Sequence, residues 1–494
     1  MTLLATLAHL QAAETGRAVP LSRLRHRHLG AAPMVVIPLT LAGDPATPVA
    51  VMLGTESGRP QLLTVAQPRN RALRREFLAG LAQAVLGYIA GRRQSTEMIP
   101  ETRTRPQRRR YTQAPQLVVP NRASRDYLGL LGRALRFLPT EGPWAIDPSV
   151  PLLGKWLTFF AENADHPGSA LLTDLTGSLA QHWATGQSPL EDANLAAQLA
   201  WIDPPAGLTG LQAALQAEDV LRFPPAGPAT DPGFDQAVLG PLIRAYERSS
   251  EIGSDTGKAR AATEIETAFR GQMEPTWKAV WDAVTLLQGL PEAPSTPRRW
   301  ADDRDRFTGY CSYLDDGGLP QPARDSAAAA AARLARLERA QAAYDAQLAL
   351  EDPYVLAELR TSGEAFCGQV ISADPSRTSR SRAGKLLLRP RFTVRTGDPV
   401  RIEAERMLVC PARLAQTVTV AGITRSAEST DVTLEVTGGM GTPARPTADA
   451  VPPVGERVSY TIDPGYWAPR DFPSAAQTPW THGGPPSRPA ADPA

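Results

Sequence analysis

In Asp431-Val432-Thr433-Leu434-Glu435-Val436-Thr437 the apolar residues fall on every second position. A strand points successive side chains to opposite faces, so this period of two gives one face to a core and the other to solvent. The same alternation recurs in Val418/Val420 and in Val458/Tyr460/Ile462, and Ala365 to Ile371, Lys385 to Val394 and Val400 to Glu403 add further strand-like runs. Six or seven short strands over residues 362–462 predict a small β-barrel, closed or half open. Residues 463–494, rich in Pro and Gly with isolated aromatics (Tyr466, Trp467, Phe472, Trp480), read as a tail.

Upstream of Thr361 the apolar spacing lengthens to three and four, the period of a helix face. One long helix is expected to carry Ile265, Phe269, Met273, Trp277, Val280, Val284 and Leu287, with Pro275 kinking or restarting it. A second begins near Asp325, runs through six consecutive alanines and presents Leu334, Leu337, Tyr344 and Leu348 as a seam, with Gln341 its one polar position. With 291–322 as a loop between them, residues 256–361 predict a long, stalk-like helical hairpin. Before it, Tyr127 to Phe137, Pro151 to Glu162, Ala170 to His182, Asn194 to Ile202 and Phe234 to Arg248 read as helices separated by Pro and Gly clusters, a helical bundle over 121–255.

At the start of the chain, Pro33 to Leu41, Pro48 to Leu53 and Gln61 to Val65 are β-branched runs separated by turn residues, which predicts a small antiparallel sheet. Arg71 to Ile89 has the helical period and is expected to cover it, giving a small α+β domain over 1–91. Residues 92–120 lack periodicity and carry Pro100, Pro106 and Pro115 among many arginines, so they read as a basic linker. Fold class is thus α+β multidomain. Met1 to Ala13 has spaced leucines without a basic region before them and reads as an amphipathic first helix, not a signal peptide. No apolar run reaches the 18 or so residues of a membrane span, so the expected location is cytoplasmic and no membrane partner is expected.

Composition narrows the function classes. The 494 residues are 42% hydrophobic, too apolar for a wholly disordered chain, and three cysteines are too few for a disulfide scaffold. Basic residues are 48 Arg against 4 Lys, the bias of a GC-rich genome, and none of the lysines has an acid two places before it, which disfavours the restriction-type nuclease motif. Charge is unevenly placed: +12 over residues 1–125, −15 over 126–375 and +4 over 376–494. Three electrostatic blocks suggest three structural ones.

No motif dictates a reaction, and no catalytic residue, cofactor or metal is expected. Gly253-Ser254-Asp255-Thr256-Gly257-Lys258-Ala259 is one residue short of a phosphate loop, and Ala259 lacks the hydroxyl that would bind magnesium. It reads as a turn opening the long helix. Cys311, Cys367 and Cys410 and the six histidines show no metal-binding spacing. Asp302, Asp303 and Asp305, in a loop after Trp300, have the chemistry to chelate a cation, and solvated loop charges explain them at least as well.

Two basic segments stand out. Arg105, Arg108, Arg109 and Arg110, preceded by Arg92, Arg93 and Arg103, lie beside Tyr111 as a stacking face, and such a run gains affinity for phosphates by counterion release. The competing reading docks it on the protein's own acidic middle. Arg377, Arg380, Arg382, Lys385, Arg389 and Arg391 occupy the first long hairpin of the barrel, with Phe392 just after them. Small barrels with a basic loop commonly track a nucleic-acid backbone.

A helix pair leading into a small barrel resembles the stalk and β-barrel accessory region of superfamily 1B helicases, over roughly residues 256–489. The tail Thr478-Pro479-Trp480-Thr481-His482-Gly483-Gly484-Pro485-Pro486 resembles segments of uncharacterised actinobacterial helicase-related proteins. Walker A, Walker B and the motor domains have no counterpart here, so helicase activity does not carry over. The resemblance implies a non-enzymatic, nucleic-acid-binding or helicase-associated accessory protein, in a setting of DNA repair or anti-phage defence. Expected partners are single-stranded nucleic acid and a helicase or nuclease. The alternative is a protein–protein interaction scaffold that binds no nucleic acid.

Overall fold

The computed structural model describes residues 2–102, 106–220, 223–224, 227–381, 384–462 and 472. The chain is mixed α+β and divides into two compact units, one spanning Leu7–Arg324 and the other running from Asp325 onward together with the first residues of the chain. The first helix, α1 (Leu3–Thr15), buries Ala8 and Ala12 and leaves Leu3, Leu7 and Leu10 exposed, so it lacks the expected amphipathic leucine face.

The Leu7–Arg324 unit is built on a five-stranded mixed sheet. The expected meander is present as β1 (Met34–Leu41), β2 (Asp44–Gly54) and β3 (Gln61–Thr64), paired antiparallel, and α2 (Arg71–Gly91) follows behind its Asn70 cap. The linker reading of 92–120 is corrected. Its residues form a hairpin, β4 (Thr96–Ile99) with β5 (Arg108–Tyr111), and then β6 (Leu117–Val119), which lies parallel to β1. Helices α3 (Arg122–Leu135) and α4 (Ser149–Ala164) lead to β7 (Leu172–Asp174), parallel to β6, so the sheet order is β3-β2-β1-β6-β7. Residues expected as one helix from Ala170 to His182 are therefore a strand and a short helix, α5 (Leu175–Ala180), whose first turn is capped by Asp174.

Sheet alternation sends Met34 and Val36 into one core with Phe77, Leu81 and Val85, and Val35, Ile37 and Leu39 into a second core on the opposite face. A strand buried on both faces reads as a continuous apolar run, which is what Met34 to Leu41 is. Pro38 is tolerated because β6 pairs only with Met34 and Val35, so no ladder bond is asked of its nitrogen. Beyond it, Thr40 exchanges backbone bonds with Pro228 and Thr230.

The second core is closed by α6 (Leu195–Ile202), α7 (Gly210–Ala217) being packed on α6, and by α8 (Gly240–Glu251) and α9 (Asp255–Gln288). Helix α9 runs through Pro275, and its apolar row from Ile265 to Leu287 packs on the sheet. The expected loop 291–322 contains α10 (Thr296–Asp315), which offers Phe307 and Cys311 to the first core. The expected hairpin of two long helices is corrected accordingly: the seam helix, α11 (Ala327–Glu351), belongs to the other unit, buries only Ala349 and leaves Leu334 exposed.

In the second unit, α12 (Pro353–Ser362) precedes a closed antiparallel barrel. Its strands are β8 (Ala365–Asp374), β11 (Arg391–Thr396), β12 (Met407–Cys410), β13 (Arg413–Arg425), β14 (Thr430–Gly438) and β15 (Arg457–Ile462), joined in the order β8-β11-β14-β13-β12-β15. Between β8 and β11 a separate ribbon is made by β9 (Thr378–Arg380) and β10 (Leu386–Leu388). Inward residues Phe366, Phe392, Val394, Val418, Val420, Leu434, Val436 and Tyr460 fill the core. Val400 to Glu403 is a loop whose Val400 and Ile402 join that core, and β12 supplies the sixth strand. A Cβ on Gly368 would stand 2.2 Å from the carbonyl oxygen of Arg395, so the β8–β11 approach requires glycine there.

Candidate nucleic-acid interface

The ribbon β9–β10 is held in register by three pairs, Thr378↔Leu388, Ser379↔Leu387 and Arg380↔Leu386, and by the Arg389 amide donating to the Arg377 carbonyl at 2.8 Å. At its tip Gly384 takes φ +78°, a left-handed conformation that costs glycine little. The six basic residues expected here do not form one free patch. Arg377 Nη1 donates to Glu435 Oε2 at 2.7 Å, and Arg391 Nε donates to the same oxygen at 2.8 Å. Glu435 lies directly opposite Arg391 on the outer barrel face, so one carboxylate clamps two guanidiniums at the root of the ribbon.

Further along that outer face Arg395 makes a bidentate pair with Asp431, both bonds 2.8 Å. Arg389 donates to the Thr437 carbonyl at 3.2 Å. Arg380 and Lys385 are exposed near the tip, and no carboxylate among the described residues pairs with either; Arg380 donates to the Gly384 carbonyl at 3.2 Å. Arg382 lies outside the described residues. Phe392 is buried in the barrel core and offers no stacking face.

The first basic segment has another environment. Arg108 donates to Asp305 at 2.5 Å, and Arg110 is bound to Glu97 at 2.8 Å and lies 3.6 Å from Asp305. Arg304 joins Glu97 at 2.8 Å, and Arg93 pairs with Asp315. Tyr111 packs on Phe307 and accepts from Arg93, so its ring is part of the protein's own packing. Arg109 is exposed, and Arg105 lies outside the described residues.

Of the three acids expected as solvated loop charges, Asp302 is exposed, whereas Asp303 and Asp305 on α10 are bonded within the protein. Asp303 is buried on α10, where its oxygens accept from the Ser169 hydroxyl at 2.9 Å, the Ala170 amide at 2.7 Å and Arg306 at 2.9 Å. Burial pushes its carboxyl up to about 6 against these bonds. Sequence reasoning missed Asp305, Glu97 and Glu435 as the partners of the arginines. For Glu435 the outward direction was visible in its alternation with Leu434 and Val436, but not the strand register that brings it to Arg391.

The phosphate-loop look-alike is a helix cap: Ser254 accepts from the Gly257 amide, and Lys258 pairs with Asp255 at 2.6 Å. Among the described residues no group of three metal-ligating side chains converges. Burial raises the Cys311 thiol to about 12, far from the thiolate needed for nucleophilic or metal chemistry. No helix among the described residues is long and apolar enough to cross a membrane. Comparison with protein-family models, with curated proteins and with solved structures finds no match to the chain.

Proposed function

We propose that this chain is a non-enzymatic binding protein whose C-terminal barrel holds single-stranded nucleic acid, as an accessory to a helicase or nuclease. One observation carries the reading: a closed barrel presents a two-stranded ribbon on which Arg380 and Lys385 are exposed, with no carboxylate partner among the described residues. A rigid barrel with a cationic projection suits contact to a phosphate backbone, which rewards placed charge and makes no demand on base sequence. Tested on an oligothymidylate over a salt series, the double variant Arg380→Ala/Lys385→Ala should bind more weakly. Its salt slope should fall by about 0.7 per lost contact, about 1.4 in all. Parent-like affinity and slope in the variant would remove the ribbon from the interface.

The ion pairs of Arg108 and Arg110 favour a second reading for the first basic segment, intramolecular docking. If the intact protein fails to retain single strands even at low salt, the barrel reading falls and a protein–protein scaffold remains.

A further inference from the structure

Helix α2 breaks a local rule at its start. Its first turn carries Arg71 and Arg74 and no acid, with Arg75 following and the first acid, Glu76, only in the second turn, although the positive end of a helix dipole favours anions over cations. Among the described residues no carboxylate pairs with any of the three. All three line a cavity of about 270 Å³ within the Leu7–Arg324 unit. Apart from Thr47 its other walls are mostly apolar, with Leu78 of α2, Leu131 and Leu135 of α3, and Leu138 and Ile146 of the following segment. Trp144 is 60% exposed at its rim, with the Arg71 guanidinium stacked 4.2 Å from its ring centroid. Arg75 is occupied in holding that turn, donating to the Trp144 carbonyl at 3.2 Å. Arg74 and Arg71 are left facing an apolar hollow.

A local conflict that no carboxylate among the described residues relieves is where function is expected. We propose that this cavity binds a small organic acid, its single carboxylate, sulfonate or phosphate head held by Arg74 and Arg71 and its compact apolar body among the leucines and under Trp144. The head would complement both the guanidiniums and the dipole of α2, and charge-assisted bonds to arginine are the strong kind. A hollow of about 270 Å³ lies near the small end of ligand pockets, which suits a compact ligand over a large one.

Calorimetric titration of the full chain with octanoate tests this, with acetate as head without body and octan-1-ol as body without head. Octanoate should bind one to one with Kd below about 1 mM, and both controls at least about tenfold more weakly. Arg74→Ala should weaken octanoate at least about tenfold, and Arg74→Lys should restore part of the loss. Ala134→Phe, at an exposed position lining the cavity, should block octanoate while leaving the circular dichroism spectrum unchanged. Octanol binding as tightly as octanoate would reduce the site to an apolar hollow and overturn the proposal. Octanoate binding unchanged in both Arg74→Ala and Ala134→Phe, or absent from the parent, would overturn it as well.

Discussion

The arginine run of β5 and the arginine-rich ribbon of the barrel are alike in composition and unlike in use. Arg108 and Arg110 lie against α10 and are met by Asp305 and Glu97, whereas among the described residues the ribbon finds one acid, Glu435, at its root and none near its tip. Counting basic residues therefore overstates free charge in the first region and, among the described residues of the ribbon, describes it at Arg380 and Lys385. A guanidinium joined to a carboxylate in a half-buried setting is a tie between elements. An unpaired one on a projecting ribbon is available to a partner.

The strongest way to break this comparison is to loosen the helix that supplies the acids. Asp303 fastens α10 to the segment entering β7 through Ser169 and Ala170, so Asp303→Ala should leave buried donors unmet and destabilise the Leu7–Arg324 unit by about 3 kcal/mol. Urea unfolding would measure it, and a loss under about 1 kcal/mol would mean α10 is held by its apolar contacts alone.

Acid titration sharpens the contrast, because the buried Asp303 and the half-buried Asp398 of the other unit shift in opposite directions. Asp303 has its folded value raised to about 6 by burial, above an unfolded value of about 3.9, so its contribution to stability is largest at low pH and declines as pH rises from about 4 to about 6. For Asp398, burial raises the carboxyl, but bonds from Arg360 and from the Cys367 amide outweigh it and the net shift is downward. Its contribution is fully present above about 4 and is lost as pH falls below that. Thermal unfolding of Asp303→Asn and Asp398→Asn against the parent should show these opposite trends. Parallel pH profiles for the two variants would refute the assignment.

Smaller effects follow for the partner acids. Asp305→Ala should cost about 1–2 kcal/mol, since Arg108 loses its carboxylate and Arg110 keeps only that of Glu97. It should also raise single-strand retention at low salt if the freed arginines become available. Glu435→Gln is the mildest, within about 1 kcal/mol for a pair of this exposure, and should steepen the salt slope of the barrel by up to about 1.4 as Arg377 and Arg391 are released. An unchanged slope would place those two arginines outside the interface.

By itself the sequence determined those elements whose burial is one-sided. The period of two in Val432 to Val436 marked a barrel strand, and the spacing of Phe77, Leu81 and Val85 marked α2, because a single buried face imposes its geometry on neighbouring residues. Helix α10 escaped detection because Asp303 takes a buried place beside Phe307 and Cys311, which breaks the apolar pattern. Likewise β6, with three residues buried on both faces, carries no alternation to read. Only the tertiary structure decided which distant segments share a layer. The apolar row of α9 fits a helical seam and a sheet face equally well, and the sheet takes it. The same holds for charge: an arginine's state depends on which carboxylate the fold brings within about 4 Å, and Arg108 meets Asp305 across 197 residues of chain.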